Sequence, residues 1–212
     1  MARESKEEKL VRMTEVEREV MLKYPNMPIA GIDEVGRGPL AGPVVTACVS
    51  IPFSKLIPGV DDSKKLSEIR REALYPMLIE NARYAKTAWI APQVIDEINI
   101  LNATRRAMEE CASFLENGVF LVDAVKGLKL PGESIPIIHG DAVSYMIAAA
   151  SIVAKVERDR YMAKLHEMYP VYNFIKNKGY GTKEHIEAIR KYGPCPEHRM
   201  TFIQKFLPGG DV

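Results

Sequence analysis

Short apolar runs alternate with amphipathic stretches along most of the chain. Five such runs predict strands, at residues 29–32, 44–51, 84–90, 119–122 and 135–138. Apolar residues at helical spacing predict helices at residues 5–23, 92–116 and 142–168, and Ser67 and Thr182 are expected to cap two more. Because strands and helices interleave, the sequence predicts an α/β fold.

The same pattern predicts the boundaries of the chain's parts. Residues 1–27 predict an N-terminal amphipathic helical extension that lies at the periphery, and residues 28–212 predict one domain that ends in a basic helical segment. Inside that domain we expect a helix break near Asn99 to Asn102. Asp141 is expected to be the N-cap of the long helix at residues 142–168.

Composition and charge narrow the class of protein. Of the 212 residues, 47% are hydrophobic and 27% are charged, which excludes a disordered or collagen-like protein. The net charge of +1 draws the whole molecule neither to a polyanion nor to a membrane. From Val171 onward, however, seven lysines and arginines stand against four acidic residues, so any polyanion is expected at the C-terminal part.

Two further features indicate the compartment. The three cysteines have no paired spacing, which favours a reducing environment. The N-terminal residues are too charged for a signal peptide, and no run approaches the roughly 18 apolar residues that cross a bilayer. We therefore expect a cytoplasmic protein with no membrane partner.

Four carboxylates fall at predicted strand ends or helix starts, namely Asp33, Glu34, Asp123 and Asp141. Taken singly, each fits a turn or a helix cap. In open α/β sheets, however, ligands gather at strand ends, and acids brought together there repel unless a cation neutralises them. Oxygen ligands of this kind suit Mg²⁺ or Mn²⁺ better than Zn²⁺. The set therefore predicts a metal site.

A glycine-rich loop follows the first predicted strand, with the sequence GRGPLA at residues 36–41. It fits the dinucleotide pattern, but Asp33 and Glu34 would lie beside the pyrophosphate and no helix opens after the loop. What remains is a loop whose backbone can approach a ligand closely, with Arg37 available for a phosphate.

For the other candidate polar residues, an ordinary structural role and a functional role both remain open. Lys64 lies in a basic loop that could be merely solvated or could meet phosphates, and Tyr180 could pack in its loop or stack on a base or sugar. His185 and His198 could be acid–base groups, although surface or core histidines are commoner.

Residues 31–45 closely resemble the opening motif of type II ribonuclease H, ribonuclease HII of the bacterial type; they read GIDEVGRGPLAGPVV. Later blocks follow in the order of that family: DSKKL at 62–66, VDA at 122–124, GDA at 140–142, IAAASIVAK at 147–155, RD at 158–159, GYGT at 179–182, GP at 193–194 and HR at 198–199. The resemblance covers residues 29–206. One departure is Ala124, where many members have glycine.

The resemblance implies a ribonuclease H-like fold, with a mixed central sheet flanked by helices and a C-terminal helical segment. It implies an endoribonuclease that cleaves the RNA strand of RNA–DNA hybrids and cuts 5′ of single ribonucleotides in duplex DNA. The four carboxylates named above would hold Mg²⁺ or Mn²⁺. The loop Gly36, Arg37 and Gly38 would sense the ribose 2′-hydroxyl, Tyr180 would stack at the junction, and Lys64 would contact a phosphate.

Partners follow from this activity. We expect RNA–DNA hybrid duplexes and ribonucleotide-containing DNA as substrates, no obligate protein partner, and a monomer. The duplex backbone is expected to contact Lys176, Lys178, Lys183 and Arg199. Two alternatives use the same residues: a metal-dependent phosphohydrolase of small phosphate esters, and a non-catalytic module that binds RNA–DNA hybrids.

Overall fold

The computed structural model describes residues 4–207, in which five strands form one mixed sheet. The strands are β1 Ile29–Val35, β2 Val44–Ser50, β3 Tyr84–Ile90, β4 Gly118–Asp123 and β5 Gly132–Ile137. Their order across the sheet is β3-β2-β1-β4-β5, with β1 antiparallel to β2, β2 antiparallel to β3, and the pairs β1–β4 and β4–β5 parallel. The predicted α/β class with a mixed sheet is confirmed.

Helices cover both faces of this sheet. They are α1 Lys6–Met13, α2 Glu15–Lys23, α3 Glu68–Asn81, α4 Pro92–Ala112, α5 Gly140–Val143, α6 Tyr145–Met168, α7 Phe174–Asn177, α8 Lys183–Tyr192 and α9 Met200–Ile203. Short 3₁₀ turns lie at Phe53–Lys55, Pro170–Tyr172 and Gln204–Phe206. Because side chains alternate along a strand, Ile29 of β1 packs on the α6 side and Ala30 on the α4 side.

Helix α6 lies unusually close to the sheet. A Cβ atom at Gly31 of β1 would stand 2.0 Å from the carbonyl carbon of Met146 at the start of α6. Only glycine fits at this point, so the backbone of the helix rests on the backbone of the central strand.

The N-terminal segment differs from the single peripheral helix that the sequence predicts. It forms two helices that meet at Thr14, whose hydroxyl donates to the carbonyl oxygens of Leu10 and Val11, at 3.0 and 2.9 Å. Such bonds compete with the helical ladder and bend the chain. Met13 and Glu17 are fully buried while most other residues of the segment are exposed, so the segment packs one face against the domain.

The start of the long helix also differs from the prediction. Asp141 lies inside the short helix α5, and α6 begins four residues later, at Tyr145. The N-cap is Ser144, whose backbone is extended and whose hydroxyl accepts from the Ile147 amide at 3.2 Å. The prediction of Asp141 as N-cap is therefore wrong, whereas the break in α4 is confirmed at Asn99, where φ is 64° and ψ is 163°.

The C-terminal segment packs against the far half of α6. Its helices α7 to α9 bury a separate apolar cluster that includes Met162, Phe174 and Ile189. The segment also touches the glycine-rich loop, since the Leu40 amide donates to Gly179 at 2.8 Å and Ala41 pairs with His198 in an isolated bridge. Within residues 4–207, no helix combines the length and the apolar character that crossing a membrane requires.

Candidate active site

Parallel strands bring the predicted acids to one edge of the sheet. Strands β1 and β4 are parallel and pair Ile32 with Val122, so the next residues, Asp33 and Asp123, lie side by side where this pairing ends. Glu34 follows on β1, and Asp141 lies on α5, directly after β5. The fold therefore explains why acids distant in sequence share this edge.

Each of the four acids has a polar partner, which for Glu34 is the Arg37 guanidinium, 3.4 Å from its Oε1 atom. The Asp33 Oδ1 atom accepts from the Glu34 amide at 2.8 Å, and the Asp123 Oδ1 atom accepts from the Gly140 amide at 2.8 Å. The Asp141 Oδ2 atom lies 3.3 Å from the Lys64 ammonium nitrogen. Asp33 and Asp141 are buried, whereas Glu34 and Asp123 are half-buried.

The acids share this edge without closing into a compact cluster. Among residues 4–207, no three histidine, cysteine, aspartate or glutamate side chains converge as a ready-made metal cage. Like charges repel, and each acid above turns toward its own donor. The assignment of the four acids as metal ligands stays a prediction.

The electrostatics of this edge nevertheless favour a cation. Burial, and then the charge of Glu34, raise the pKa of Asp33 well above its ordinary value. Burial raises the pKa of Glu34 too, and the nearby Asp123 charge adds to this against the opposing effect of Arg37. The pKa of Asp123 is raised by burial, with a further contribution from Asp141. A bound cation would offset this repulsion and favour the ionised form of each carboxylate.

The donor chemistry also fits a hard divalent ion. The Oε2 atom of Glu34 is buried and has no hydrogen-bond partner. An ionised oxygen in that condition is costly unless a cation contacts it. Since the other donors are carboxylate oxygens as well, the residues present suit Mg²⁺ or Mn²⁺.

The glycine-rich loop and Tyr180 form one surface. Gly36 has a φ of +90°, and a Cβ atom there would stand 2.3 Å from the Arg158 Nε atom, so glycine is required. A Cβ atom at Gly38 would lie 3.7 Å from the Tyr180 ring. Tyr180 is 45% exposed, and the Arg37 side chain is 44% exposed, with a nitrogen 3.4 Å from the Glu34 carboxylate. The structure therefore brings these residues beside the acidic edge.

Arg158 connects the glycine-rich loop to the loop that carries Tyr180. Its guanidinium is fully buried and donates to the carbonyl oxygens of Pro43, Ala41 and Lys178, at 3.0, 3.1 and 3.0 Å. The first two belong to the end of the glycine-rich loop, and the third precedes Tyr180 by two residues. Sequence reasoning did not single out Arg158 for this role, because an arginine inside a helix normally indicates a solvated face.

Arg199 braces the same loop from the other side. It is fully buried and donates to the carbonyl oxygens of Gly36, Arg37 and Gly42, at 2.6, 2.9 and 2.8 Å. The prediction that Arg199 holds the duplex backbone is therefore wrong, because its donors are committed to the loop. Lys178 is also largely covered and lies 3.9 Å from Glu68, whereas Lys176 and Lys183 are exposed.

A buried histidine pair supports the Tyr180 loop. The Nδ1 atom of His198 accepts from the Cys195 amide at 2.9 Å, which places its proton on Nε2, 3.0 Å from His185 Nε2. His185 then carries its proton on Nδ1 and donates to the Tyr180 carbonyl at 2.9 Å. Both rings are neutral and shielded from solvent, so they position a loop and do not exchange protons with a substrate.

Comparison with known proteins supplies the family. A family model for ribonuclease HII matches residues 30–205. The chain belongs to the ribonuclease HII family. The ribonuclease HII of Caldanaerobacter subterraneus subsp. tengcongensis is similar to it, with 53% identity over 183 residues that make up 85% of this chain and 76% of that protein.

Solved structures agree with this membership in ribonuclease HII. Ribonuclease H2 from Pyrococcus horikoshii OT3 superposes with a TM-score of 0.71 at 28% identity, over 85% of this chain and 97% of the other. Ribonuclease HII from Archaeoglobus fulgidus, in a complex with PCNA, gives 0.71 at 26% identity, over 82% and 94%. The ribonuclease H-like fold is confirmed.

One departure from the common ribonuclease HII sequence has a structural counterpart. Ala124, where many members have glycine, adopts a φ of 52°, in the left-handed region that glycine tolerates best. Its amide donates to the Ile137 carbonyl at 2.9 Å, which continues the pairing of β4 with β5 just after Asp123. This chain therefore makes the turn after Asp123 with an alanine in a strained backbone conformation.

Proposed function

We propose that this ribonuclease HII is an endoribonuclease that hydrolyses the RNA strand of RNA–DNA hybrids and cuts 5′ of single ribonucleotides in duplex DNA. One observation carries the proposal. An edge with four carboxylates lies beside a glycine-rich loop that packs against an exposed tyrosine. Phosphodiester hydrolysis needs the first element, and recognition of a ribose inside a duplex needs the second.

Asp33, Glu34, Asp123 and Asp141 would hold one or two Mg²⁺ or Mn²⁺ ions. Such ions activate a water and stabilise negative charge on the phosphoryl oxygens when bound, which gives 3′-hydroxyl and 5′-phosphate ends. The chain's own part is to orient the carboxylates along this edge. The Gly140 amide does this for Asp123, and the Glu34 amide for Asp33.

Lys64 would position the phosphate next to the cut. Its ammonium lies 3.3 Å from Asp141 but its side chain is 79% exposed, so it can contact a phosphate while it stays beside the acidic edge. Partial burial works against the charged form, but the charge and hydrogen bond of Asp141 outweigh it and raise the pKa of Lys64. The lysine therefore carries its positive charge at neutral pH.

The glycine-rich loop would supply discrimination between ribose and deoxyribose. Gly36 and Gly38 lack side chains, so their backbone groups can approach a 2′-hydroxyl and hydrogen-bond to it. Arg37 is close enough to the acidic edge to bind the adjoining phosphate. Tyr180 would stack on the neighbouring sugar or base, and two braced loops keep it at a fixed distance from Gly38.

The same proposal extends to the contacts with the duplex backbone, the location of the enzyme and its oligomeric state. Exposed lysines at 176 and 183 would hold the duplex backbone without reading its sequence. We propose that the enzyme works in the cytoplasm as a monomer, without an obligate protein partner.

The deciding experiment uses an end-labelled DNA duplex with one ribonucleotide, beside an all-DNA duplex and a full RNA–DNA hybrid. We expect a single cut on the 5′ side of the ribonucleotide in Mg²⁺ or Mn²⁺, none in chelator, and loss of cleavage in Asp123→Asn. Glu133→Gln, an exposed acid near the opposite end of the sheet, is the matched control and should cut like the wild type.

Two results would favour the alternatives. Binding of the hybrid by the wild type without any metal-dependent cut would indicate a binding module. Hydrolysis of a small phosphate ester that responds weakly to salt, with no cut in any duplex, would indicate a phosphohydrolase.

A further inference from the structure

Glu17 is a fully buried carboxylate on α2, in the N-terminal segment that the catalytic proposal leaves without a role. Its Oε1 atom accepts from the Ser144 hydroxyl at 2.7 Å and from the Met146 amide at 2.9 Å. These partners lie more than 120 residues away in sequence, at the junction of α5 and α6. A buried carboxylate with two specific donors is a fixed point of attachment.

The attachment leads directly to the acidic edge. Ser144, which Glu17 holds, donates its own amide to the Gly140 carbonyl at 2.8 Å. Gly140 in turn donates its amide to the Asp123 carboxylate at 2.8 Å. Asp141 lies in the same short turn, between Gly140 and Ser144. One chain of hydrogen bonds therefore links Glu17 to the segment that orients both Asp123 and Asp141.

Charge and space support the same link. Glu17 stands at the N-terminal end of the 24-residue helix α6, where the helix dipole favours a negative charge and opposes the rise in the pKa of Glu17 that burial causes. Space behind the turn is tight, since a Cβ atom at Gly140 would stand 2.5 Å from the Ile147 side chain and 3.3 Å from the Asp123 oxygen. Helix α1 also contacts α5. The turn is thus clamped between the N-terminal helices and α6.

We propose that Glu17 is a positioning residue of the active site: through Ser144 it sets the turn at residues 140–144, and thereby the orientation of Asp123 and Asp141 toward their metal ion. The N-terminal helices then belong to the catalytic unit. The inference rests on the proposed function for its kinetic readout, but its metal-binding and hydrogen-exchange readouts do not depend on cleavage.

The test compares three variants of one helix in the full-length protein. Glu17→Ala removes the acceptor, Glu17→Gln keeps an acceptor oxygen without the charge, and Val20→Ala loosens buried packing without touching a hydrogen bond. Glu19→Ala, an exposed glutamate on α2, is the neutral control. Each is measured for Mn²⁺ affinity by calorimetry without substrate, for kcat and KM on the ribonucleotide duplex, and for amide exchange at residues 140–147 without metal.

In Glu17→Ala we expect Mn²⁺ affinity and kcat to fall about tenfold or more, as is usual when a residue that orients a ligand is lost. KM should stay within about twofold, because the loops that bind the duplex are untouched. Exchange at residues 140–147 should accelerate, and Glu17→Gln should recover most of the loss. Val20→Ala should lower the melting temperature while leaving Mn²⁺ affinity and kcat unchanged.

Wild-type Mn²⁺ affinity and kcat in Glu17→Ala, measured well below its melting temperature, would overturn the proposal. So would equal losses in Glu17→Ala and Val20→Ala, because they would show general destabilisation. If Glu17→Ala does not fold, Ser144→Ala replaces it, and unchanged Mn²⁺ affinity there would also overturn the proposal. A wild type that binds Mn²⁺ but cuts no duplex would instead refute the proposed function alone.

Discussion

At the scale of single residues, two arginines hold the glycine-rich loop and the Tyr180 loop in place. All the hydrogen bonds described for Arg158 and Arg199 go to backbone carbonyl oxygens. Burial lowers the pKa of Arg158 to about 10, which still leaves it charged at neutral pH. The planar fork of a guanidinium can satisfy three carbonyls in fixed directions, which an ammonium cannot.

We predict that Arg158→Lys weakens recognition of the ribonucleotide. Loss of the fork should lower the free energy of unfolding by about 2 kcal/mol and cut the preference for ribonucleotide-containing over all-DNA duplex about tenfold. Preference is measured as a ratio of dissociation constants in chelator. Arg160→Lys, on the same helix but paired with Glu72 at the surface, is the control. An unchanged ratio in Arg158→Lys would show that the loops hold their places without the fork.

A second residue-scale prediction concerns acid stability. Burial, and then the neighbouring His185, lower the pKa of His198 to about 4. The unfolded chain binds this proton near pH 6.5, so it holds more protons than the folded chain between those values and stability falls as pH falls. We expect a loss of about 2 kcal/mol from this group between pH 7 and pH 5. Urea unfolding at both pH values should show a smaller loss in His198→Gln than in the wild type or in His166→Gln.

At the scale of elements, the kink in α4 is a local structure with its own cap. The φ and ψ of Asn99 are rarely adopted by residues other than glycine. Its Oδ1 atom accepts hydrogen bonds from the amides of Leu101 and Asn102, at 3.1 Å each. The asparagine therefore strains the backbone but caps the second half of the helix.

This balance predicts an unusual order of stabilities. Asn99→Ala loses the cap and keeps the strain, so its free energy of unfolding should fall by about 1–2 kcal/mol. Asn99→Gly loses the cap but removes the strain, so the loss should be only roughly a few tenths of a kcal/mol. Asn102→Ala, exposed on the same helix, should resemble the wild type. If denaturant unfolding shows that Asn99→Gly is less stable than Asn99→Ala, this account of the kink is wrong.

Elements also show what the sequence could and could not predict. The strand at residues 84–90 and the break at Asn99 were predictable, because local periodicity and turn chemistry determine them. The start of α6 was not, because Asp141 and Ser144 are both good caps and tertiary contacts select Ser144. The acidic edge was predictable from strand ends, whereas the burial of Glu17 and Arg158 depends on partners distant in sequence.

At the scale of the whole molecule, the net charge of +1 gives the enzyme little general attraction for nucleic acid. Duplex binding must then depend on a few local contacts. Lys176 and Lys183 lie on the C-terminal segment, next to the loops that carry Tyr180, and both are exposed. Their position suits contact with phosphates on either side of a bound ribonucleotide.

We predict a salt dependence that these lysines set. In the double variant Lys176→Gln and Lys183→Gln, the slope of log affinity against log salt should become shallower by about 1–2, since each phosphate contact contributes about 0.9. Lys129→Gln, which removes an exposed lysine shortly before β5, should keep the wild-type slope. Fluorescence anisotropy with a labelled duplex at several salt concentrations measures all three slopes. Equal slopes for the wild type and both variants would show that the duplex does not contact Lys176 and Lys183.

The contact between α6 and β1 at Gly31 affects how the molecule can move. Many proteins open and close clefts by small sliding of packed helices, which exploits the layer of side chains between them. Here the helix backbone meets the strand backbone directly, so no such layer exists at this point. We therefore expect β1, which carries Asp33 and Glu34, to move together with α6. We expect entry and departure of the duplex to depend on the surface loops instead, so that substitutions in those loops change the rate of product release more than substitutions at this contact.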